Sequence, residues 1–227
     1  MLAPAAFTAA NVVTGFFSMI AASDGRFKTA VYLLLLCIVL DAMDGRLARK
    51  LGVTSKLGQE LDSFSDAISF GVAPAFLAQR SVLLSLGPAG LAISVLYMLA
   101  GVFRLARFNL LVGEHEKARR TTGVPIPIGA SYVMALVMMG ERVPPQVAGL
   151  VIVAMAFLMM SRLRLPDLVG RGMVGWALLI GIVNYLLVMA RPNWYTVTWW
   201  NFWNGVIVLA GWWEDRQLKL SAASGDS

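Results

Sequence analysis

The chain has 227 residues, of which 58% are hydrophobic and only 14% charged. A water-soluble domain carries about 25% charge, so this composition excludes a globule with a fully polar surface. The net charge of +6 does not argue for nucleic acid, because the basic residues are scattered between apolar runs without aromatic interleaving. The composition predicts an all-α integral membrane protein with residues 1–227 forming a single membrane-embedded domain.

Apolar runs between polar breaks predict about eight spans, near 7–23, 28–48, 58–80, 87–111, 126–140, 146–161, 172–190 and 198–213. A bilayer core needs about 20 apolar residues per helix, so the fifth and sixth are short, and a single broken hairpin is their alternative reading. The first run has no Lys or Arg before it, which favours a retained helix over a signal peptide. Cys37 lies alone in VYLLLLCIVL, which leaves no disulfide or Cys/His zinc site and makes it a packing residue. His115, also alone, is expected in a solvated loop. Met134, Met138, Met139, Met155, Met159 and Met160 are expected on faces toward lipid or a second copy. Trp194, Tyr195, Trp199, Trp200, Trp212 and Trp213 bracket the last span as an interfacial belt. With eight spans, only Arg26, Lys28, Arg80, Arg142 and Arg191 fall on the side away from the termini. The remaining basic residues mark the side of the termini, including a tail at 214–227, as cytoplasmic.

The segment DAMDGRLARKLGVTSKLGQELDSFSD, from Asp41 to Asp66, carries the chemistry. Asp41 and Asp44 are spaced i,i+3, and Asp62 and Asp66 i,i+4, so each pair projects from one helix face. The GVTSKLG turn folds the two faces together. An acidic residue at mid-membrane costs on the order of 2.5–3.5 kcal/mol. Two carboxylates about 4 Å apart repel by a further ~4 kcal/mol at an effective dielectric of ~20. Cations between them remove that penalty, and an all-oxygen donor set suits Mg²⁺, Mn²⁺ or Ca²⁺ rather than zinc. Gly45, Ala48 and Gly58 keep the surrounding surface low, and Arg49 offers a fork for phosphate oxygens.

The pattern Asp41-x2-Asp44-Gly45-x2-Ala48-Arg49-x8-Gly58-x3-Asp62-x3-Asp66 resembles the complete motif of the CDP-alcohol phosphatidyltransferases. These are membrane enzymes, usually homodimers, with a six-helix core, that transfer a phosphatidyl group from CDP-diacylglycerol to an alcohol and release CMP. The resemblance implies that Asp41, Asp44, Asp62 and Asp66 hold two divalent cations, Mg²⁺ or Mn²⁺, with Ca²⁺ as a non-productive occupant. It implies that Asp66 is also the base for the attacking hydroxyl, and that Gly45, Ala48, Arg49 and Gly58 line the CDP site. Thr8 and Asn11, which follow Pro4 in the family's rhythm, join that site, although Ala5 stands where the family often has Asn.

The acceptor is read from other segments. DSFSDAISFGVAP (Asp62 to Pro74), FRLARFN (Phe103 to Asn109) and GVPIPIGA (Gly123 to Ala130) resemble the branch that uses L-serine. Serine needs a cation for its carboxylate, and Arg104, Arg107 and Asn109, with Ser63, are the acceptor candidates. The alternatives are glycerol 3-phosphate or an inositol phosphate as acceptor. A divalent-cation transporter is the rival from another class, but it would need acidic residues continuing across the membrane. The partners expected are CDP-diacylglycerol, L-serine, membrane lipid and a second copy of the chain, in the cytoplasmic membrane.

Overall fold

The structure, a computed structural model, describes residues 2–51, 56–114, 121–161, 164–165, 186–188, 190–191 and 193–224. The described residues are helical but for turns and one short strand pair. In chain order come α1 (Leu2–Ser23), α2 (Phe27–Leu51), α3 (Lys56–Asp66), a π-helical turn (Ala67–Val72) and α4 (Ala73–Arg80). There follow α5 (Pro88–Glu114), α6 (Ile126–Met139), α7 (Pro145–Met160) and α8 (Trp194–Ser224). These elements cover seven of the predicted spans. The span predicted at 172–190 lies almost wholly outside the described residues, as does His115.

By length and composition, α1 over Ala6–Ser23 and α5 over Pro88–Leu110 are long and apolar enough to cross a membrane; α7 is apolar but shorter. α2 falls outside that criterion because Lys28, Asp41 and Asp44 interrupt its apolar run. α6 and α7 are two helices of 14 and 16 residues joined by a tight turn. Gly140, at φ +55°, turns the chain sharply between them, in a conformation that side-chain-bearing residues rarely adopt. α8 continues past its predicted end, so the tail from 214 begins as helix.

The described helices pack as a bundle. α1 packs along α2 and also meets α3, the π turn and α4; α6 packs against α2, α4, α7 and α8. Leu34, Leu35, Phe70, Leu77, Tyr97, Ile126 and Ile152 fill the interior. Met134 and Met159 are buried there too, which corrects the expectation that the methionines face outward; Met160 is exposed as expected. Met159 fits because Gly129 of α6 offers no side chain, its sulfur lying 3.1 Å from where a Cβ would stand. The aromatic belt divides similarly. Tyr195, Trp199 and Trp213 are exposed, whereas Trp200 is buried.

Two devices shape the bundle. Pro74 has no N–H, so the carbonyl of Phe70 one turn earlier lacks its usual helical partner. The buried Tyr97 hydroxyl donates to that carbonyl at 3.1 Å, tying α5 to the π turn. The second is a strand pair, β1 (Thr121–Thr122) antiparallel to β2 (Arg164–Leu165), which joins the segments after α5 and after α7. Gly123 follows β1 at φ +75° and packs directly against the carbonyl of Met159. Both its angle and its contact exclude a Cβ.

Candidate metal and active site

α1 packs along α2 and meets α3, and the aspartates of those two helices converge near Thr8, at the end of the bundle where α1 begins. Carboxylate oxygens of Asp41, Asp62 and Asp66 all lie within 4.8 Å of one another. Asp44 stands outside that group and is only 4% exposed; its Oδ2 accepts a 3.1 Å hydrogen bond from the Thr8 hydroxyl of α1. Three of the four motif carboxylates therefore share a cluster, and the fourth is aimed beside it by the first helix.

α1 is keyed to α2, α3 and the π turn by further polar contacts. The Ser65 hydroxyl donates to the Thr8 carbonyl at 3.4 Å, and Ser69 donates to the Asn11 carbonyl at 3.2 Å. The Cys37 thiol also points at the Asn11 carbonyl, at 3.6 Å, so this packing residue has a polar contact as well. Gly15 permits the close approach, since a Cβ there would stand 2.8 Å from the Ser69 oxygen. Asn11 itself is fully buried, and both polar atoms of its side chain lack hydrogen-bond partners. A buried amide left unsatisfied costs about 1–3 kcal/mol. The oxygen Oδ1 of Asp66 is buried without a hydrogen-bond partner as well. Arg104 of α5, 7% exposed, lies within electrostatic reach of Asp66, and its Nε–H is also unpartnered. Around the cluster, the Asn11 amide, Asp66 Oδ1 and the Arg104 Nε–H are thus buried polar groups with no hydrogen-bond partner.

The other candidates separate into two sets. Ser63 and Asn109 come together, with the Asn109 amide donating to the Ser63 hydroxyl at 3.0 Å. Arg107 instead reaches α7, where it donates to the carbonyls of Met160 at 2.8 Å, Ser161 at 2.9 Å and Met159 at 3.4 Å. Those carbonyls end a helix and lack intrahelical partners, so a guanidinium there is a C-terminal cap. Gly58 is exposed on α3. Gly45, Ala48 and Arg49 lie on α2, and their side-chain surroundings fall outside the described residues.

Sequence reasoning did not anticipate the π turn directly after Asp66, the Tyr97 bond, or the strand pair. The first had a legible signal. Gly71 and Pro74 within one helical run weaken regular i→i−4 bonding, and wide turns of this kind often occur at functional sites.

The family model described as CDP-alcohol phosphatidyltransferase matches residues 1–183. The chain is 34% identical over 200 residues to a CDP-diacylglycerol–serine O-phosphatidyltransferase of Helicobacter pylori, covering 84% of this chain and 83% of that one. It is 32% identical over 163 residues to the Bacillus subtilis protein of the same name, covering 72% of this chain and 89% of that one. An archaetidylserine synthase of Methanothermobacter thermautotrophicus is 34% identical over 164 residues, covering 71% and 68% respectively. A motif without departure, a shared carboxylate cluster and a match over most of the length agree: the chain belongs to the CDP-alcohol phosphatidyltransferase family.

Proposed function

We propose that this protein is a CDP-diacylglycerol–serine O-phosphatidyltransferase, transferring the phosphatidyl group to the serine hydroxyl to give phosphatidylserine and CMP. The observation that carries the reading is the convergence of Asp41, Asp62 and Asp66 within 4.8 Å, in a chain whose similar proteins bear that name.

The donor set fits divalent cations. It consists of carboxylate oxygens, and Asp66 contributes a buried oxygen that no protein group satisfies. Asp41, Asp62 and Asp66, with Asp44 beside them, would hold two such ions, Mg²⁺ or Mn²⁺. When bound, such ions neutralise the diphosphate and the leaving phosphate. The protein's own residues do the rest. Asp66 takes the proton of the serine hydroxyl as that oxygen attacks the phosphorus bearing the diacylglycerol. Arg104, buried near Asp66, supplies the cation for the serine carboxylate, and the Ser63–Asn109 pair supplies polar contacts to the rest of the acceptor. Arg107 supports that pocket from behind by holding the end of α7. Thr8 fixes Asp44, and the unpaired Asn11 amide offers both a donor and an acceptor toward the nucleotide side. Gly45, Ala48, Arg49 and Gly58 complete the CDP surface.

In the membrane we place eight spans, with both termini and the aspartate site cytoplasmic, as the distribution of basic residues favours. Residues 1–227 form one catalytic domain, and the working assembly is a homodimer. The decisive experiment supplies purified protein and Mn²⁺ or Mg²⁺ with CDP-diacylglycerol, and compares CMP release with serine, glycerol 3-phosphate and inositol phosphate. Release with serine alone is expected; equal or faster release with a phosphorylated acceptor would replace serine as the substrate.

A further inference from the structure

A cavity of about 720 Å³ opens at the end of the bundle away from the aspartates. Thr8 of α1 meets Asp44, whereas the carbonyl of Ser23, at the other end of the same helix, receives a hydrogen bond from Arg80. That length of helix spans about 22 Å, so the cavity is remote from the chemistry. Phe27, Leu84 and Val143 give it apolar walls, and Arg80, Glu141 and Ser85 give it polar ones. Its volume lies within the range of about 300–1,000 Å³ typical of small-molecule sites.

Its two charges are not paired with each other. Arg80 and Glu141 line the same cavity, yet no ion pair within 4.0 Å joins them; among the described residues that distance is met by Arg26 and Asp24. The adjacent cation, Arg142, is occupied elsewhere, 5.2 Å over the ring of Trp194. Arg80 uses an Nη2–H on the Ser23 carbonyl, and a guanidinium has five N–H donors, so the rest of its fork remains for a ligand. A separated cation and anion on an apolar cavity complement a molecule that carries an anion, an ammonium and hydrocarbon.

We propose that this cavity binds the headgroup of a zwitterionic phospholipid bearing a primary ammonium. The phosphate lies against Arg80, whose planar fork matches its oxygens. The ammonium donates to Glu141, and the first methylenes of the chains cover Phe27, Leu84 and Val143. A free amino acid or phosphoethanolamine has the same pair of charges but nothing for the apolar wall. Phosphatidylglycerol lacks the cation, and the quaternary ammonium of phosphatidylcholine has no N–H to donate.

The test uses the purified full-length chain, stripped of lipid in detergent, and reads retention by native mass spectrometry. Phosphatidylethanolamine, phosphatidylcholine, phosphatidylglycerol and soluble phosphoethanolamine are compared. The expected result is one retained phosphatidylethanolamine, held about tenfold more tightly than phosphatidylglycerol, as one charged hydrogen bond would give. Glu141→Gln should erase that preference, Arg80→Gln should weaken both lipids, and Leu84→Trp should displace them by filling the wall. CMP release by Arg80→Gln and Glu141→Gln should equal that of the wild type, separating this site from the aspartates. Equal retention of phosphatidylethanolamine and phosphatidylglycerol, or an unchanged preference in Glu141→Gln, would overturn the proposal. Soluble phosphoethanolamine binding as tightly as the lipid would overturn the lipid assignment.

Discussion

Two groups of buried polar side chains among the described residues differ in one respect. Between α6 and α8 the groups satisfy one another. The Ser131 hydroxyl donates to Asn201 Oδ1 at 2.7 Å, the Asn201 amide donates to the carbonyls of Ser131 and Val197 at 2.9 Å each, and Asn204 donates to the Ser131 oxygen at 3.2 Å. Among the aspartates, by contrast, an oxygen of Asp66, the Asn11 amide and the Nε–H of Arg104 are buried with no hydrogen-bond partner. A closed network pins helices together, whereas an open one has capacity reserved for something that arrives. The Ser131–Asn201 network is thus a staple, whereas the groups around the aspartates, together with the carboxylate cluster, form the candidate site.

The largest expected effect breaks the open cluster. Asp66→Asn should reduce CMP release by about 10²–10⁴-fold, the range of a general base, while leaving CDP-diacylglycerol binding largely intact. A near-wild-type rate would remove Asp66 as the base. A thermal-shift measurement sharpens the contrast. Wild type should gain melting temperature on addition of Mn²⁺, because an ion bound to the folded state stabilises it by mass action, and Asp66→Asn should gain less. An equal gain would mean that the ions bind elsewhere.

Next comes Arg104→Gln, which removes the buried cation. It should raise the serine KM by about 30-fold or more, as truncating one partner of a buried charge pair does, and change the CDP-diacylglycerol KM little. Arg107→Gln should instead lower thermal stability, because it uncaps α7, and this split distinguishes the two arginines. A serine KM that moves equally in both variants would return Arg107 to the acceptor pocket.

Breaking the closed network should cost stability rather than chemistry. Asn201→Leu leaves the Ser131 carbonyl and hydroxyl with fewer partners and should cost about 1–2 kcal/mol, read as a lower melting temperature with unchanged serine KM. Tyr97→Phe orphans the Phe70 carbonyl beside Pro74 and should cost about 1 kcal/mol. The smallest effect is Thr8→Val, which deletes one hydroxyl on Asp44. It should weaken Mn²⁺ activation by only a few-fold, read as the metal concentration giving half-maximal CMP release.

Much of the architecture was legible along the chain. The predicted runs 28–48 and 87–111 match α2 and α5 to within a few residues, because an apolar run ends where charge begins and the bilayer fixes its length. The i,i+4 spacing of Asp62 and Asp66 made their meeting with Asp41 legible, whereas the i,i+3 spacing of Asp41 and Asp44 did not show that Asp44 stands outside the cluster, against Thr8. The methionines were not legible in this way. An apolar residue fits lipid and protein interior equally well, so only helix rotation decided that Met134 and Met159 face inward.

Spacing and composition therefore determined the helices and the two acidic segments, and the motif's resemblance pointed to the family, all of which depend on neighbours close in the chain. Tertiary structure alone decided that Thr8 holds Asp44, that Arg107 caps α7 while Arg104 turns to Asp66, and that Tyr97 answers the proline. These partners lie on different helices, and which groups meet depends on how each helix is rotated and slid against the next. Short-range periodicity leaves both of those quantities open.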